Sequence, residues 1–281
     1  MNGEICGRDH RPRLFALKFP RRYRIMITWI ESKIGPPLKP RTRPISYDPR
    51  MKEKNPALET SVAERVADEI KDEIREGRLA PGTRLTEAQI GKQFGASRGP
   101  IREALRRLDS EGILTFEKNR GVSVRKLTRD DFVNLLEVRE ALEAVAARLL
   151  ATNPRSERTV SELAKLFNKM QTAVKRGDVE QYNLSLYVMF HSQLVESSNN
   201  PVLIEHWHRL HLDVFRSQFR PLVDLHLVQI AHREHADLVA ALQARDAKKA
   251  EQAVRQHIAH FTEHVRRLPD RVFRDTEFPR S

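Results

Sequence analysis

Residues Thr86 to Glu111 read TEAQIGKQFGASRGPIREALRRLDSE, a stretch that predicts two short helices separated by a tight turn. Thr86 is followed three residues later by Gln89, a capping signature that marks the start of the first helix. Gly95 ends this helix and Ser97 starts the second, whose apolar positions recur at helical spacing. These positions are Ile101, Leu105 and Leu108. The arrangement is typical of a helix-turn-helix, in which the second helix enters the major groove of DNA.

Three arginines follow one face of the predicted second helix. Arg98, Arg102 and Arg106 recur every four residues, about a quarter turn away from the apolar line. Arginine can donate two parallel hydrogen bonds to guanine, and a serine at a helix start is suited to a phosphate. We therefore predict DNA contacts from these arginines, from Ser97 and from Thr86. An arginine stripe alone is more often a solvated face, so the interpretation depends on its place within the helix-turn-helix.

The flanking sequence predicts a further helix and a β-hairpin. Ser61 and Glu64 form a capping box ahead of apolar residues at four-residue spacing, which marks a helix start. Strand-like runs at 113–117 and 122–126 enclose a short loop that contains a glycine. We expect this loop, the wing, to reach the minor groove or the DNA backbone through Asn119, Arg120 and Gly121. Residues 58–127 are thus predicted as a winged helix-turn-helix domain.

The rest of the chain carries only helical periodicity. Thr128 with Asp131 marks the start of a long helix, which Asn153-Pro154 ends. Further helical segments are predicted at 157–176, 179–197, 201–218, 221–243 and 246–267. We predict an all-helical domain at residues 128–268, then a C-terminal tail at 269–281. The predicted fold class is mainly α, with a winged helix-turn-helix preceding a helical bundle.

The net charge suggests a nucleic-acid partner, although most of it lies outside the predicted DNA-binding domain. Of the formal charge of +12, +8 falls in residues 1–60, +3 in residues 61–128 and +1 in the remainder. Residues 1–57 are rich in proline and lack helical or strand periodicity, so we predict a disordered basic tail. Three interpretations remain open for it: an arm that binds nucleic acid, a solvated leader, or an extension preceding a start at Met51.

The composition also excludes several classes of protein. A single cysteine, Cys6, leaves no disulfide framework and no multi-cysteine zinc site. The apolar run at residues 25–30 is far shorter than the roughly 20 residues of a membrane span, and no secretory signal pattern is present. We therefore predict a cytoplasmic protein without a membrane partner.

The helix-turn-helix resembles the winged-helix domain of the GntR family of bacterial transcription regulators. Residues 97–105 read SRGPIREAL, close to the family pattern SRTPVREAL, and the wing sequence NRGVSV continues the likeness. The resemblance implies that Arg98 and Arg102 contact bases or phosphates and that Arg120 and Gly121 lie in the wing.

Downstream, the sequence resembles the helical effector domain of the FadR-type (FCD) subgroup. The matching segments are VREALE at 138–143, FH at 190–191, SNNP at 198–201, REH at 233–235 and RQHI at 255–258. The resemblance implies that His191, His235 and His257 hold a divalent metal such as Zn, Ni or Mn, and imidazoles converging from separate helices suit these ions. The subgroup often adds an aspartate one turn before the first histidine, but Tyr187 stands there in this chain.

The same resemblance implies a pocket for a small carboxylate-bearing effector. Arg139 stands where the family tends to place an arginine facing the pocket, and Asn200 matches a turn of the family. A buried arginine is a reasonable clamp for a carboxylate. An ion pair between Arg139 and a glutamate such as Glu140 or Glu143 is the alternative.

Together these features predict a ligand-responsive transcription regulator, most simply a repressor, that binds double-stranded operator DNA as a homodimer. The helical domain at residues 128–268 would form the dimer and would bind a small organic acid that controls DNA binding. A metal-dependent all-α enzyme is one alternative, but motifs such as HExxH and the phosphate-binding GxxxxGK loop are missing. A non-specific nucleic-acid-binding protein is another, and its affinity would survive deletion of residues 61–126.

Overall fold

The computed structural model describes residues 61–117, 121–215, 218 and 222–274. The tail predicted at residues 1–57 lies outside this part of the chain, as do the predicted wing residues Asn119 and Arg120. Among the described residues, no helix is both long and apolar enough to cross a membrane.

Three helices and a small antiparallel sheet form the N-terminal part of the described chain. The elements are α1 Val62–Arg75, β1 Arg84–Leu85, α2 Glu87–Phe94, α3 Arg98–Ser110, β2 Leu114–Glu117 and β3 Gly121–Val124. The strand order is β1-β3-β2, with Arg84 opposite Ser123 and Leu114 opposite Val124. This is a winged helix-turn-helix, as the sequence predicts. The two-residue strand β1 was not predicted because it is too short to show an alternating pattern.

Local chemistry explains the tight turn between α2 and α3. Gly95 ends α2 with a φ of 62°, in the left-handed region where glycine carries no steric cost. A side chain on Gly91 would place its Cβ 3.2 Å from the carbonyl oxygen of Ala96 and 3.2 Å from Ile101 Cδ1. Both glycines therefore let α3 lie close to α2, with Ile101 buried between the helices and the rest of the core.

Helices alone form the second part of the described chain. They are α4 Arg129–Thr152, α5 Glu157–Arg176, α6 Val179–Gln181, α7 Tyr187–Glu196, α8 Pro201–Arg209, α9 Leu225–Gln243, α10 Ala247–Arg267 and α11 Arg271–Arg274. A π-helical turn at Tyr182–Leu186 joins α6 to α7. Helix α10 packs along α4 and α9, while α7 packs against α4 and α5. This mainly helical arrangement confirms the predicted fold class.

Several predicted boundaries differ from the structure. The helix predicted at 201–218 ends at Arg209, because His211 has a φ of 49° and cannot continue a right-handed helix. The helix predicted from residue 221 begins after Asp224, whose side chain caps it by accepting from Leu227 N. The tail predicted from residue 269 contains α11, where Phe273 is buried with its ring 5.8 Å from that of Phe132. The packed domain thus extends beyond residue 268.

Candidate metal centre and DNA-binding surface

The three histidines predicted to bind a metal converge inside the helical domain. Helices α7, α9 and α10 each supply one, namely His191, His235 and His257, and all three are buried. One ring nitrogen from each lies within 4.8 Å of the others. The Nε2 atoms of His191 and His235 are 3.1 Å apart. Side chains from three separate helices thus meet at a point that one ion can occupy.

An acceptor holds the outer nitrogen, Nδ1, of each of these rings. The pairs are His191 with Glu143 Oε2 at 2.7 Å, His235 with the carbonyl oxygen of Ala231 at 2.6 Å, and His257 with Glu234 Oε2 at 2.8 Å. A carboxylate or a carbonyl can only accept, so each Nδ1 carries a proton, and in a neutral ring with this tautomer Nε2 is the nitrogen that has the lone pair. This is the hydrogen bonding that orients metal-binding histidines in proteins.

Burial favours the neutral form of the His191 and His235 rings. It lowers the pKa of His191 to about 3, although Glu143 opposes the effect, and it lowers the pKa of His235 well below its ordinary value. Neutral imidazole is the form that binds a metal. Lone pairs that face each other at close range, with no proton between them, favour a cation at their centre.

Tyr187 stands one turn before His191, at the position of the aspartate in the FCD pattern. Its hydroxyl oxygen lies 3.3 Å from His257 Nε2, and its ring lies 5.1 Å from the guanidinium carbon of Arg139. The carboxylates of Glu143 and Glu234 could have replaced the missing aspartate as metal ligands, but they accept hydrogen bonds from the outer nitrogens of His191 and His257. Within the described part of the chain, the groups available as metal ligands at the centre of the cluster are therefore three imidazoles and the phenol of Tyr187.

Arg139 belongs to a buried ion pair with Glu143, one turn along α4. Its Nε donates to Glu143 Oε1 at 2.7 Å, and Trp207 Nε1 donates to the same oxygen at 2.9 Å. Burial alone would raise the pKa of Glu143, but Arg139 beside it holds this pKa far below its usual range. The ion pair considered for Arg139 is therefore present, and it lies within one helix. One carboxylate links Arg139, His191 and Trp207.

A small cavity of about 50 Å³ lies beside the histidines. Its lining includes Arg139, Tyr187, Leu212, Glu234 and His257. One water molecule needs roughly 10–15 Å³ on the same measure, so the cavity has the size of a few waters.

Asn200, predicted to bind the effector, does not line the described cavity. Its side-chain oxygen instead accepts from Leu203 N at 3.1 Å and caps α8. Asn200 is therefore the N-cap of α8, a position where asparagine is favoured.

The predicted DNA-reading arginines are exposed on α3. Arg98, Arg102 and Arg106 are all exposed, whereas Ile101 and Leu105 on the same helix are buried. Arg102 Nε lies 2.7 Å from Glu87 Oε1 in an exposed ion pair, a kind that contributes little stability and yields readily to a phosphate.

The other predicted DNA contacts differ in their local bonding. Thr86 forms a capping box with Gln89, with Gln89 N donating to its hydroxyl at 3.2 Å. Ser97 is exposed at the start of α3 and makes no side-chain capping bond within the described chain. Gly121 begins β3 with a φ of 86°, directly after the wing tip.

Sequence reasoning considered Glu143 only as a partner of Arg139, and it missed the contacts by which Glu143 and Glu234 hold the histidines in place. Glu143 and Glu234 lie in the segments VREALE and REH, so a signal for them existed beside the predicted Arg139 and His235. Glu234 also pairs with His260, on α10. No sequence pattern pointed to Trp207, because its contact with Glu143 joins residues distant in the chain.

Comparison with known proteins gives two matching family models. The model described as bacterial regulatory proteins, gntR family, matches residues 62–124, and the FCD domain model matches residues 134–260. Among relatives, the "Probable D-xylose utilization operon transcriptional repressor" of Paenarthrobacter nicotinovorans is 33% identical over 202 residues, 72% of this chain and 88% of that protein. The HTH-type transcriptional repressor RspR of Escherichia coli is 27% identical over 190 residues, 68% of this chain and 82% of that protein.

Solved structures show the same architecture. A transcriptional regulator GntR from Rhodococcus sp. RHA1 superposes with a TM-score of 0.60 at 26% identity, over 73% of this chain and 98% of that one. E. coli McbR/YncC superposes with a TM-score of 0.61 at 24% identity, over 74% of this chain and 98% of that one. The second likeness concerns the fold alone.

Proposed function

Because the chain belongs to the GntR family of bacterial regulatory proteins and carries an FCD domain, it is a DNA-binding transcription regulator and not an enzyme, and we propose that a small carboxylate-type metabolite controls its operator binding. The observation that carries this proposal is the convergence of three buried imidazoles beside a cavity lined by Arg139. Several relatives are named as repressors, which supports repression as the mode of regulation.

The proposed effector site uses a divalent ion held by Nε2 of His191, His235 and His257. Nitrogen ligands of this kind favour Zn or Ni over Mn. A bound ion supplies positive charge and open coordination positions for a carboxylate. Arg139 and Tyr187 line the same cavity and would orient the bound anion, while Glu143 and Glu234 keep the rings aligned.

The proposed DNA contacts are made by α3 and the wing. Exposed Arg98, Arg102 and Arg106 would read bases or hold phosphates, Ser97 would bind a phosphate, and Gly121 with the neighbouring Asn119 and Arg120 would approach the backbone or the minor groove.

We propose a homodimer, so that two α3 helices meet an inverted repeat. Val138 on α4 and Val202 on α8 support it, being 49% and 63% exposed on two helices that contact each other. Exposed apolar side chains on adjoining elements suit a subunit interface.

The metal part of the proposal is tested by removing metal with a chelator and then titrating zinc or nickel. Ligand present at about 100 times its Kd stabilises the folded state by about 2.7 kcal/mol, so we expect a clear rise in Tm for the wild type. His235→Ala should abolish the rise, because it removes one of three ligands. His226→Ala, which changes an exposed histidine on the same helix, is the matched control and should respond like the wild type. A rise that does not depend on His235 would show the proposed site to be wrong.

A further inference from the structure

One short segment touches both the effector cavity and the DNA-binding domain. This connecting segment, Leu210–Phe215, follows α8. Leu212 lines the cavity and packs against two apolar clusters, the main core and the smaller cluster around Trp207. A ligand that fills the cavity therefore meets this segment at Leu212.

The residues on either side of Leu212 contact the DNA-binding domain. Asp213 Oδ2 lies 2.8 Å from Arg75 Nη2, at the last residue of α1. His211 Nε2 lies 3.7 Å from Glu111 Oε2, at the C-terminal end of α3. Glu111 also pairs with Lys71 of α1 at 2.6 Å. The two contacts thus reach the helix that carries the DNA-reading arginines and the helix that supports it.

The backbone of the segment is firmly anchored. Val214 N and Phe215 N both donate to the carbonyl oxygen of His211 at 3.0 Å, and both of these apolar side chains are buried in the core. Farther along, Gln218 accepts from Leu127 N at 3.0 Å and donates to the carbonyl oxygen of Arg125 at 2.9 Å, just after β3. A tightly packed turn passes a displacement to its neighbours more readily than it absorbs it.

We propose that the connecting segment couples the cavity to the DNA-binding domain. A ligand in contact with Leu212 shifts His211 and Asp213, and their contacts with Glu111 and Arg75 change the orientation of α3 and α1. This inference rests on the proposed function, because it needs a ligand in the cavity that binds the two orientations with different affinity. By linkage, DNA must change the affinity for that ligand by the same factor.

The test uses two substitutions in the full-length protein. Asp213→Asn removes the charge that pairs with Arg75 at nearly constant size. His211→Asn keeps a residue type that tolerates positive φ but cannot reach Glu111 as the imidazole does. Glu263→Gln is the matched control, since it breaks an exposed ion pair with Arg267 on α10, a pair that does not include the cavity lining.

For each protein, calorimetry gives the Kd for zinc in the presence of acetate, a carboxylate probe small enough for the cavity. A duplex selected from a random library by the wild type gives the Kd for DNA with and without both probes. We expect zinc and acetate to change the DNA Kd of the wild type and of Glu263→Gln by about 5- to 150-fold. Asp213→Asn and His211→Asn should keep the wild-type zinc Kd and lose most of this change.

The outcomes separate the inference from the proposed function. If both variants retain the wild-type change in DNA Kd, the connecting segment does not carry the coupling. The inference is also overturned if the wild type binds zinc and acetate without any change in its DNA Kd, although the metal site then stands. A wild type that does not bind zinc overturns the proposed function, and the inference with it.

Discussion

Glu143 holds three side chains of the candidate site in position. Its carboxylate is buried and accepts hydrogen bonds from Arg139, His191 and Trp207. A buried charge is tolerated when it is paired and its lone pairs are used, and both conditions hold here. The removal of either partner of a buried pair costs much more than the loss of an exposed pair, because the remaining charge stays buried.

We expect Glu143→Gln to lower the free energy of unfolding by about 3–5 kcal/mol, because Arg139 becomes a buried charge without a counter-ion. The glutamine side chain would also place N–H groups opposite the Arg139, His191 and Trp207 donors, which need an acceptor. Denaturant unfolding followed by circular dichroism measures the change. Glu137→Gln on the same helix breaks an exposed pair with Arg266 and should cost no more than about 1 kcal/mol. Equal losses for the two variants would contradict the role given to Glu143.

Among single residues, the sequence predicted the cluster of three histidines better than the hydrogen bonds around it. The resemblance gave His191, His235 and His257, and the structure brings all three together. It did not give the hydrogen bonds that fix their tautomers, because these depend on how α4, α7, α9 and α10 pack. Asn200 shows the reverse case: its motif matched, but its side chain caps a helix outside the cavity lining.

Helix starts explain why two residues predicted to contact DNA differ in what they do. The hydroxyl of Thr86 is bonded to Gln89 in the capping box of α2, whereas Ser97 at the start of α3 makes no capping bond within the described residues. The hydroxyl of Thr86 therefore already caps a helix, whereas the hydroxyl of Ser97 caps none in the part of the chain that the structure describes.

We expect Thr86→Ala to lower the free energy of unfolding by about 1 kcal/mol, the usual value of a lost N-cap. Ser97→Ala should change it by less than about 0.5 kcal/mol, as for surface positions, and should weaken DNA binding instead. Urea unfolding and a DNA-binding titration on both variants make the comparison. A Ser97→Ala protein with wild-type DNA affinity would remove this serine from the proposed interface.

Capping motifs and apolar periodicity in the sequence predicted most helices and strands, and the exceptions have physical reasons. The capping boxes at Ser61, Thr86 and Thr128 all form, so the starts of α1, α2 and α4 are where the sequence placed them. Apolar spacing continued past Arg209, but the left-handed backbone of His211 ends the helix. Tertiary contacts decide such a turn: Leu212 touches the cavity, and Asp213 pairs with Arg75 of another domain.

Across the whole molecule, most of the net charge and the arginines proposed to read DNA lie in different parts of the chain. Residues 1–50 hold twelve Lys and Arg against four Asp and Glu, so a chain that starts at Met51 has a net charge of +4 instead of +12. Bulk positive charge strengthens binding to any DNA and steepens its salt dependence, whereas sequence discrimination needs placed side chains. The exposed arginines of α3 are the side chains proposed for this discrimination.

We therefore expect two different losses in DNA-binding titrations over a range of salt. A protein starting at Met51 should bind all duplexes less tightly and with a shallower salt slope, while it keeps its preference for the selected duplex over a random one. Arg98→Ala with Arg102→Ala should remove that preference, because each bidentate base contact discriminates by about 1–3 kcal/mol. The control is Arg158→Ala with Arg267→Ala, which removes two exposed charges from the helical domain. If the preference survives in the α3 double variant and disappears with the tail, the basic tail and not the helix-turn-helix is the reader of DNA.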